Sequence, residues 1–179
     1  MSRGTRSRRE ELLDKAYAFV LDHGLSDLSL RPLAREVGSS PRVLLYLFGS
    51  KDGLVRELLA RARQEELSAL DGIEGKGLDA VTATLWDWLS APEHRRLLVL
   101  WVEAYGRSLA DPGGPWTGFA RQTVDDWLAV LARAQPADVR RTKDGAAERT
   151  RALALLRGGL LDLLATGDAK RVGAALGPR

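Results

Sequence analysis

The chain has 179 residues, 45% of them hydrophobic, which suits one domain of typical size or two small ones sharing a core. It has no cysteine, which excludes disulfides, thiol catalysis and Cys-ligated metal sites and fits a reducing compartment. The net charge of +3 is small but uneven: residues 1–63 carry 12 Lys and Arg against 8 Asp and Glu, whereas residues 64–179 carry 15 against 16. A positive excess at one end of a neutral body suits a module that binds a polyanion.

The longest apolar run, residues 97–109, contains Glu103 and Arg107 and is too short for a membrane span, which needs about 20 residues. The Arg-rich start leads into an amphipathic segment and so does not read as a signal peptide; a cytoplasmic protein is expected.

Apolar residues recur at helical spacing almost throughout, and alternating strand-like runs are missing. Turn signals at His23-Gly24, Gly38 to Ser40, Gly49-Ser50, Ala91-Pro92, Asp111 to Pro115, Pro136 and Gly167 divide the chain. The pattern predicts nine helices, over 7–23, 30–37, 41–48, 51–70, 78–90, 92–109, 116–134, 144–166 and 168–176, with residues 71–77 as a linker. An all-α fold follows, with a module of short helices over 1–50 and a larger bundle over 51–179.

The first helix should bury Leu12, Leu13, Ala16, Phe19 and Val20 and end at Gly24. Ser29 is a suitable N-cap for the second, with Pro32 in its first turn. That helix buries Leu33, Ala34 and Val37 and stops at Gly38. Ser40 then caps a third helix that begins at Pro41 and buries Leu44, Leu47 and Phe48. Arg42, Val43 and Tyr46 fall on the opposite face, with Leu45 at the boundary. Two helices of about eight residues around a Gly turn have the architecture of a helix-turn-helix. A two-turn helix is not stable alone in water, so the first helix must hold it while its outer face enters the major groove. The helix starts at Ser29, Ser40 and Ser50 aim N–H groups at phosphates, and Lys51 adds a charge there.

The stretch LSLRPLAREVGSSPRVLLYLFGSKDGLVRELL, residues 28–59, resembles the tetracycline-repressor (TetR) family. The resemblance is strong over residues 8–60 and beyond that rests on the number and length of helices. It implies an Ω-shaped homodimer in which a three-helix N-terminal domain binds DNA and a C-terminal bundle binds a small inducer. Dimerisation is expected through the last long helices. By position, Ser29 and Arg31 correspond to second-helix residues that touch phosphate and base. Ser40, Arg42, Val43, Leu45 and Tyr46 correspond to the DNA-facing side of the recognition helix, and Lys51 to a phosphate-binding lysine. Many members carry Tyr where Leu45 stands and His where Leu47 stands. Leu45 cannot bond a phosphate, so Tyr46 would take that role in a shifted geometry. Arg3, Arg6, Arg8 and Arg9 form either a minor-groove arm or a solvated tail.

In the remainder, Trp86, Trp101, Tyr105, Trp116, Phe119 and Trp127 are as a group candidates for an aromatic ligand pocket, although for any single one of them a place in the core is the better reading. Glu103 shares a stripe with Arg96 and Arg107 and reads as a solvated i,i+4 partner of Arg107 rather than a ligand counter-ion. The eighth helix is apolar nearly all round and needs cover on two sides. Gly158 and Gly159 lower its stability by roughly 1 kcal/mol each relative to Ala, which a close backbone approach would offset. The helix is either the central core helix of a monomer or a dimer interface; the family resemblance favours the dimer, with Leu156, Gly159, Leu160 and Leu163 as the expected interface. His23 and His94 lie far apart, and neither has a nucleophile or carboxylate at helical spacing. No phosphate-loop pattern occurs. No enzyme activity, cofactor or metal is expected. The expected function is a transcription regulator, a repressor released from a palindromic operator by a small-molecule inducer. The competing reading is an all-α ligand-binding or catalytic bundle that does not bind DNA.

Overall fold

The structure, a computed structural model, describes residues 7–25, 28–69, 77–111 and 113–176. Among these residues there are ten α-helices and no strand. They are α1 (Arg8–His23), α2 (Leu30–Glu36), α3 (Pro41–Phe48), α4 (Lys51–Ala69), α5 (Leu78–Ser90), α6 (Arg95–Ala110), α7 (Phe119–Ala134), α8 (Ala137–Arg140), α9 (Lys143–Thr166) and α10 (Ala169–Leu176), with a 3-10 turn at Pro92–His94 before α6. No helix among them is long and apolar enough to cross a membrane.

The chain forms two compact units, one of residues up to 65 with 100–120, the other of 66–99 with 121–179. In the first, α1 opens with a capping box: Ser7 Oγ accepts from Glu10 N at 3.2 Å, and Ser7 N donates to Glu10 Oε2 at 2.9 Å. The helix buries Leu12, Ala16, Tyr17 and Val20. The buried stripe thus runs through Tyr17, while Leu13 and Phe19 are only half-buried. Leu33 and Ala34 of α2, Leu44 and Phe48 of α3, and Leu54, Val55, Leu58 and Leu59 of α4 complete this core. Each such leucine contributes about 1.5–3 kcal/mol through burial.

In the second unit, α10 lies on α9 and α5. Gly159 and Gly173 allow the approach, because a Cβ at Gly173 would sit 3.0 Å from Trp86 Nε1, and one at Gly159 2.8 Å from Leu176 Cδ1. Arg171 holds α10 to α9 through Asp162 Oδ1 at 2.5 Å. That hydrogen bond keeps the Asp162 carboxyl below the usual aspartate range. Gln135, almost fully buried, organises the corner around α8: its Nε2 donates to Gly145 O at 3.0 Å, and its Oε1 accepts from Arg149. The 116–134 helix expected from sequence begins later, at Phe119, after Gly118 takes a positive φ of 79°. Pro136, read as a simple break, instead precedes the extra short helix α8.

Candidate nucleic-acid interface

The interface is built from α2, a four-residue turn and α3. Val37 N bonds Leu33 O at 3.0 Å and Ser39 N bonds Ala34 O at 2.8 Å, closing α2. Gly38 makes the reversal at φ +67°, a conformation that L side chains rarely adopt. Ser40 caps α3 by accepting from Val43 N at 3.3 Å, and Pro41 occupies the first helical position, where no N–H is needed. Leu44 (1% exposed) and Phe48 (8%) anchor the helix in the core. The remaining face is open: Arg42, Val43, Leu45 and Tyr46 are all exposed, Tyr46 at 86%. Ser29, Arg31, Ser40 and Lys51 are exposed too. Ser29 sits at the N-cap of α2 without bonding that helix through its hydroxyl. All eight residues singled out for DNA contact are therefore accessible at the ends and outer face of one helix pair and the start of the next helix.

Two supports of this face were not anticipated. Arg9 turns inward: its guanidinium meets Glu57 Oε1 at 2.6 Å, reaches Leu47 O at 3.4 Å and covers the Phe48 ring at 5.2 Å. It clamps the C-terminal end of α3 to α4, so Arg9 is a structural residue and not part of an arm. Arg8 begins α1 and is exposed, while Arg3 and Arg6 lie outside the described residues. The second support is Gly53. Its amide caps onto Ser50 Oγ at 2.9 Å, and a Cβ there would fall inside the contact shell of the Phe48 carbonyl oxygen.

The predicted aromatic candidates divide between the two units. In the first unit, Trp101 and Tyr105 stack at 5.0 Å, and Trp116 and Phe119 are buried. In the second, Trp86 packs on Gly173, and Trp127 Nε1 donates to the buried Glu66 carboxylate at 2.5 Å. Glu66 had no signal in the sequence, lying in the polar run Gln64-Glu65-Glu66. Glu103 is not a solvated partner of Arg107; both its oxygens accept from Leu25 N, at 3.1 and 3.0 Å. His23 and His94 stack on Phe19 and Trp88, with Nδ1 2.9 and 2.8 Å from the Phe19 and Trp88 carbonyls. Of the residues expected at the dimer interface, Leu156, Leu160 and Leu163 are buried within their own unit and Gly159 receives Trp86 and Leu176. The opposite face of α9 exposes Leu155 (47%) and Leu161 (53%) around Gly158.

A capped recognition helix, buried on one side and open on the other, defines a DNA-binding regulator of the helix-turn-helix type. Comparison with known proteins narrows the class. The family described as "Bacterial regulatory proteins, tetR family" matches residues 12–58. The HTH-type transcriptional regulator BetI of Rhizobium meliloti is 30% identical over 92% of this chain and 70% of its own length. The chain spans only 55% of the length of BetI regulators matched from Brucella. Among solved structures, a TetR transcription regulator from Haloarcula marismortui superposes with a TM-score of 0.74 at 19% identity, over 94% of this chain and 92% of that one. A putative transcriptional regulator from Saccharomonospora viridis, in complex with choline, gives 0.72 at 20% identity over 94% and 92%. This chain belongs to the tetR family of bacterial regulatory proteins, and it is a DNA-binding transcriptional regulator.

Proposed function

We propose that the chain is a cytoplasmic repressor that occupies a palindromic operator as a homodimer and leaves it when a small molecule binds the body beyond residue 50. It has no enzyme activity and needs no metal or cofactor. The observation that carries this reading is the open face of α3, where Arg42, Val43, Leu45 and Tyr46 stand out from a helix locked behind by Leu44 and Phe48. Two copies related by a two-fold axis present two such faces, which calls for an operator with the same symmetry. The second copy covers the Leu155, Gly158 and Leu161 face of α9. A cleft of about 490 Å³ beside it, lined by Leu78, Asp79, Thr82, Arg151, Leu155 and Leu176, belongs to the same side of the unit.

Release follows from a population shift. An inducer that binds better to a conformation with the wrong recognition-helix spacing draws the dimer off DNA by its difference in affinity. Tyr105, half-buried and stacked on the buried Trp101 of α6, is an aromatic group that an opening of the body would present to an organic ligand, and aromatic faces attract cations. Choline, the ligand of the Saccharomonospora viridis regulator, is thus the first compound to try.

The test is genomic selection: purified protein is mixed with sheared DNA from its source and the bound fragments are sequenced. Enrichment of one or a few palindromes supports the reading. Salt-sensitive binding without a motif leaves only a basic surface, and no binding at low salt refutes it. Leu161→Arg tests the dimer by sedimentation, with a monomer expected.

A further inference from the structure

Arg42 is the one charged residue of α3, whose sequence is PRVLLYLF. Among the described residues seven large hydrophobic side chains are exposed, and three of them, Val43 (37%), Leu45 (40%) and Tyr46 (86%), fall within this eight-residue helix. They are not poorly packed core residues, because the core side is already filled by Leu44 and Phe48. At about 100° per residue, Arg42 and Tyr46 form the central ridge of the open face, with Leu45 on one side of it and Val43 on the other. A surface of this kind has little hydrogen-bonding capacity for base edges beyond Arg42 and the Tyr46 hydroxyl.

We infer that α3 reads its operator half-site chiefly through thymine methyl groups, which Val43 and Leu45 contact on either side of a guanine held by Arg42. This rests on the DNA-binding reading above. In the major groove the thymine C5-methyl is the one apolar feature, and apolar side chains recognise it. Guanine offers O6 and N7, which suit the fork of an arginine. Apolar groups gain nothing from phosphates, so exposure of two branched aliphatic chains at the reading face is explained by a base methyl rather than by backbone binding. The N-terminal position of Arg42 and Val43 on the helix places them where recognition helices approach base edges most closely. Held by the Ser40 cap at one end and the Arg9 clamp at the other, the face is fixed before it meets DNA.

The experiment is a uracil scan. The palindrome enriched by genomic selection is synthesised with deoxyuridine replacing each thymine in turn, symmetrically in both half-sites, and titrated with the full-length protein. Uracil keeps every hydrogen-bonding group of thymine and lacks only the methyl. At one or two positions per half-site each lost methyl should weaken binding about fourfold, hence roughly fifteenfold when both half-sites are changed. Val43→Ala should abolish the effect at one position and Leu45→Ala at another, and both residues are exposed enough for the fold to tolerate the change. Uracil tolerated at every thymine, with Val43→Ala and Leu45→Ala binding as tightly as wild type, assigns the apolar face to another partner and overturns the inference while leaving DNA binding intact. Penalties that persist unchanged in both variants overturn it as well. Recovery of no palindrome at all refutes the functional reading and this inference with it.

Discussion

Gly53 offers a sharp test of how α3 is held. In the first turn of an exposed helix, Gly→Ala ordinarily stabilises by about 1 kcal/mol through backbone entropy. Here the added Cβ meets the carbonyl oxygen of Phe48, with the Phe48 carbonyl carbon 3.3 Å and Ser50 Oγ 3.4 Å away. The obstacle is backbone, at the last residue of the recognition helix, so it cannot rotate aside. Phe48 is itself 8% exposed and lies under Arg9, which leaves little room to retreat. Overpacking of this sort costs about 1–3 kcal/mol. Since the clash is severe the upper part of that range applies, and subtracting the propensity gain leaves a net loss of about 1–2 kcal/mol. For a chain of this size that lowers Tm by about 2–8 °C. Gly106→Ala is the control, a helical glycine whose Cβ would meet nothing within 4 Å; it should raise Tm. Thermal melts of both variants decide the matter, and operator titration of Gly53→Ala should show a loss beyond the folded fraction, because relieving the clash moves the end of α3. If Gly53→Ala melts at or above wild type and binds equally well, the proposed α3–α4 junction is wrong.

Three further expectations follow from particular contacts. Lys51→Ala removes an exposed cation at the start of α4 and should flatten the slope of log affinity against log salt by about 0.9 per bound chain, about 1.8 for the proposed dimer, with little change in sequence preference; an unchanged slope means that Lys51 touches no phosphate. Glu103→Ala takes away the carboxylate that accepts from Leu25 N, a charge-assisted bond in a half-exposed site, and should lower stability in urea by about 1 kcal/mol; a midpoint equal to wild type would show that water replaces it without loss. Asp162 should titrate below the ordinary aspartate value because Arg171 bonds its charged form. A depressed folded pKa gives a contribution that is present above the unfolded value and lost as pH falls through the folded one, so the α9–α10 tie should weaken only in strong acid; a normal NMR titration midpoint for Asp162 would contradict it.

The helix-turn-helix was legible because its determinants are local. Ser40 caps a helix three residues away, Gly38 reverses the chain within one turn, and the faces of α3 follow from helical spacing alone. Helix boundaries were less legible where a backbone choice decided them: Gly118 at positive φ delays α7, and Thr142 begins α9 one residue earlier than expected by accepting from Gly145 N. Side-chain assignments failed where two solutions have the same pattern. Phe19 and Tyr17 both suit the inner face of α1, and the choice is set by what packs there, including Arg61 at 5.3 Å from the Tyr17 ring.

The charged residues show why the rest stayed hidden. Arg9, Glu66 and Glu103 each sit in a polar run or stripe, and on a helix such a residue has a sufficient local explanation: solvent or an i,i+4 neighbour. Exposed pairs of that kind are worth little, about 0–1 kcal/mol, so a tertiary alternative with better geometry displaces them readily. Arg9 finds Glu57 and the Leu47 carbonyl, Glu66 finds the Trp127 indole, and Glu103 finds an unpaired amide at the end of α1. Each partner lies tens of residues away, and nothing in the local spacing points to it. These three residues also join elements that helix periodicity treats as independent: α1 with α3 and α4, α4 with α7, and the α1–α2 turn with α6. The fold class depends on the periodic apolar residues. The Arg9 contacts behind the C-terminal end of α3 are of this long-range kind, which is why the open face of α3 could be read from helical spacing while the group packed against its end could not.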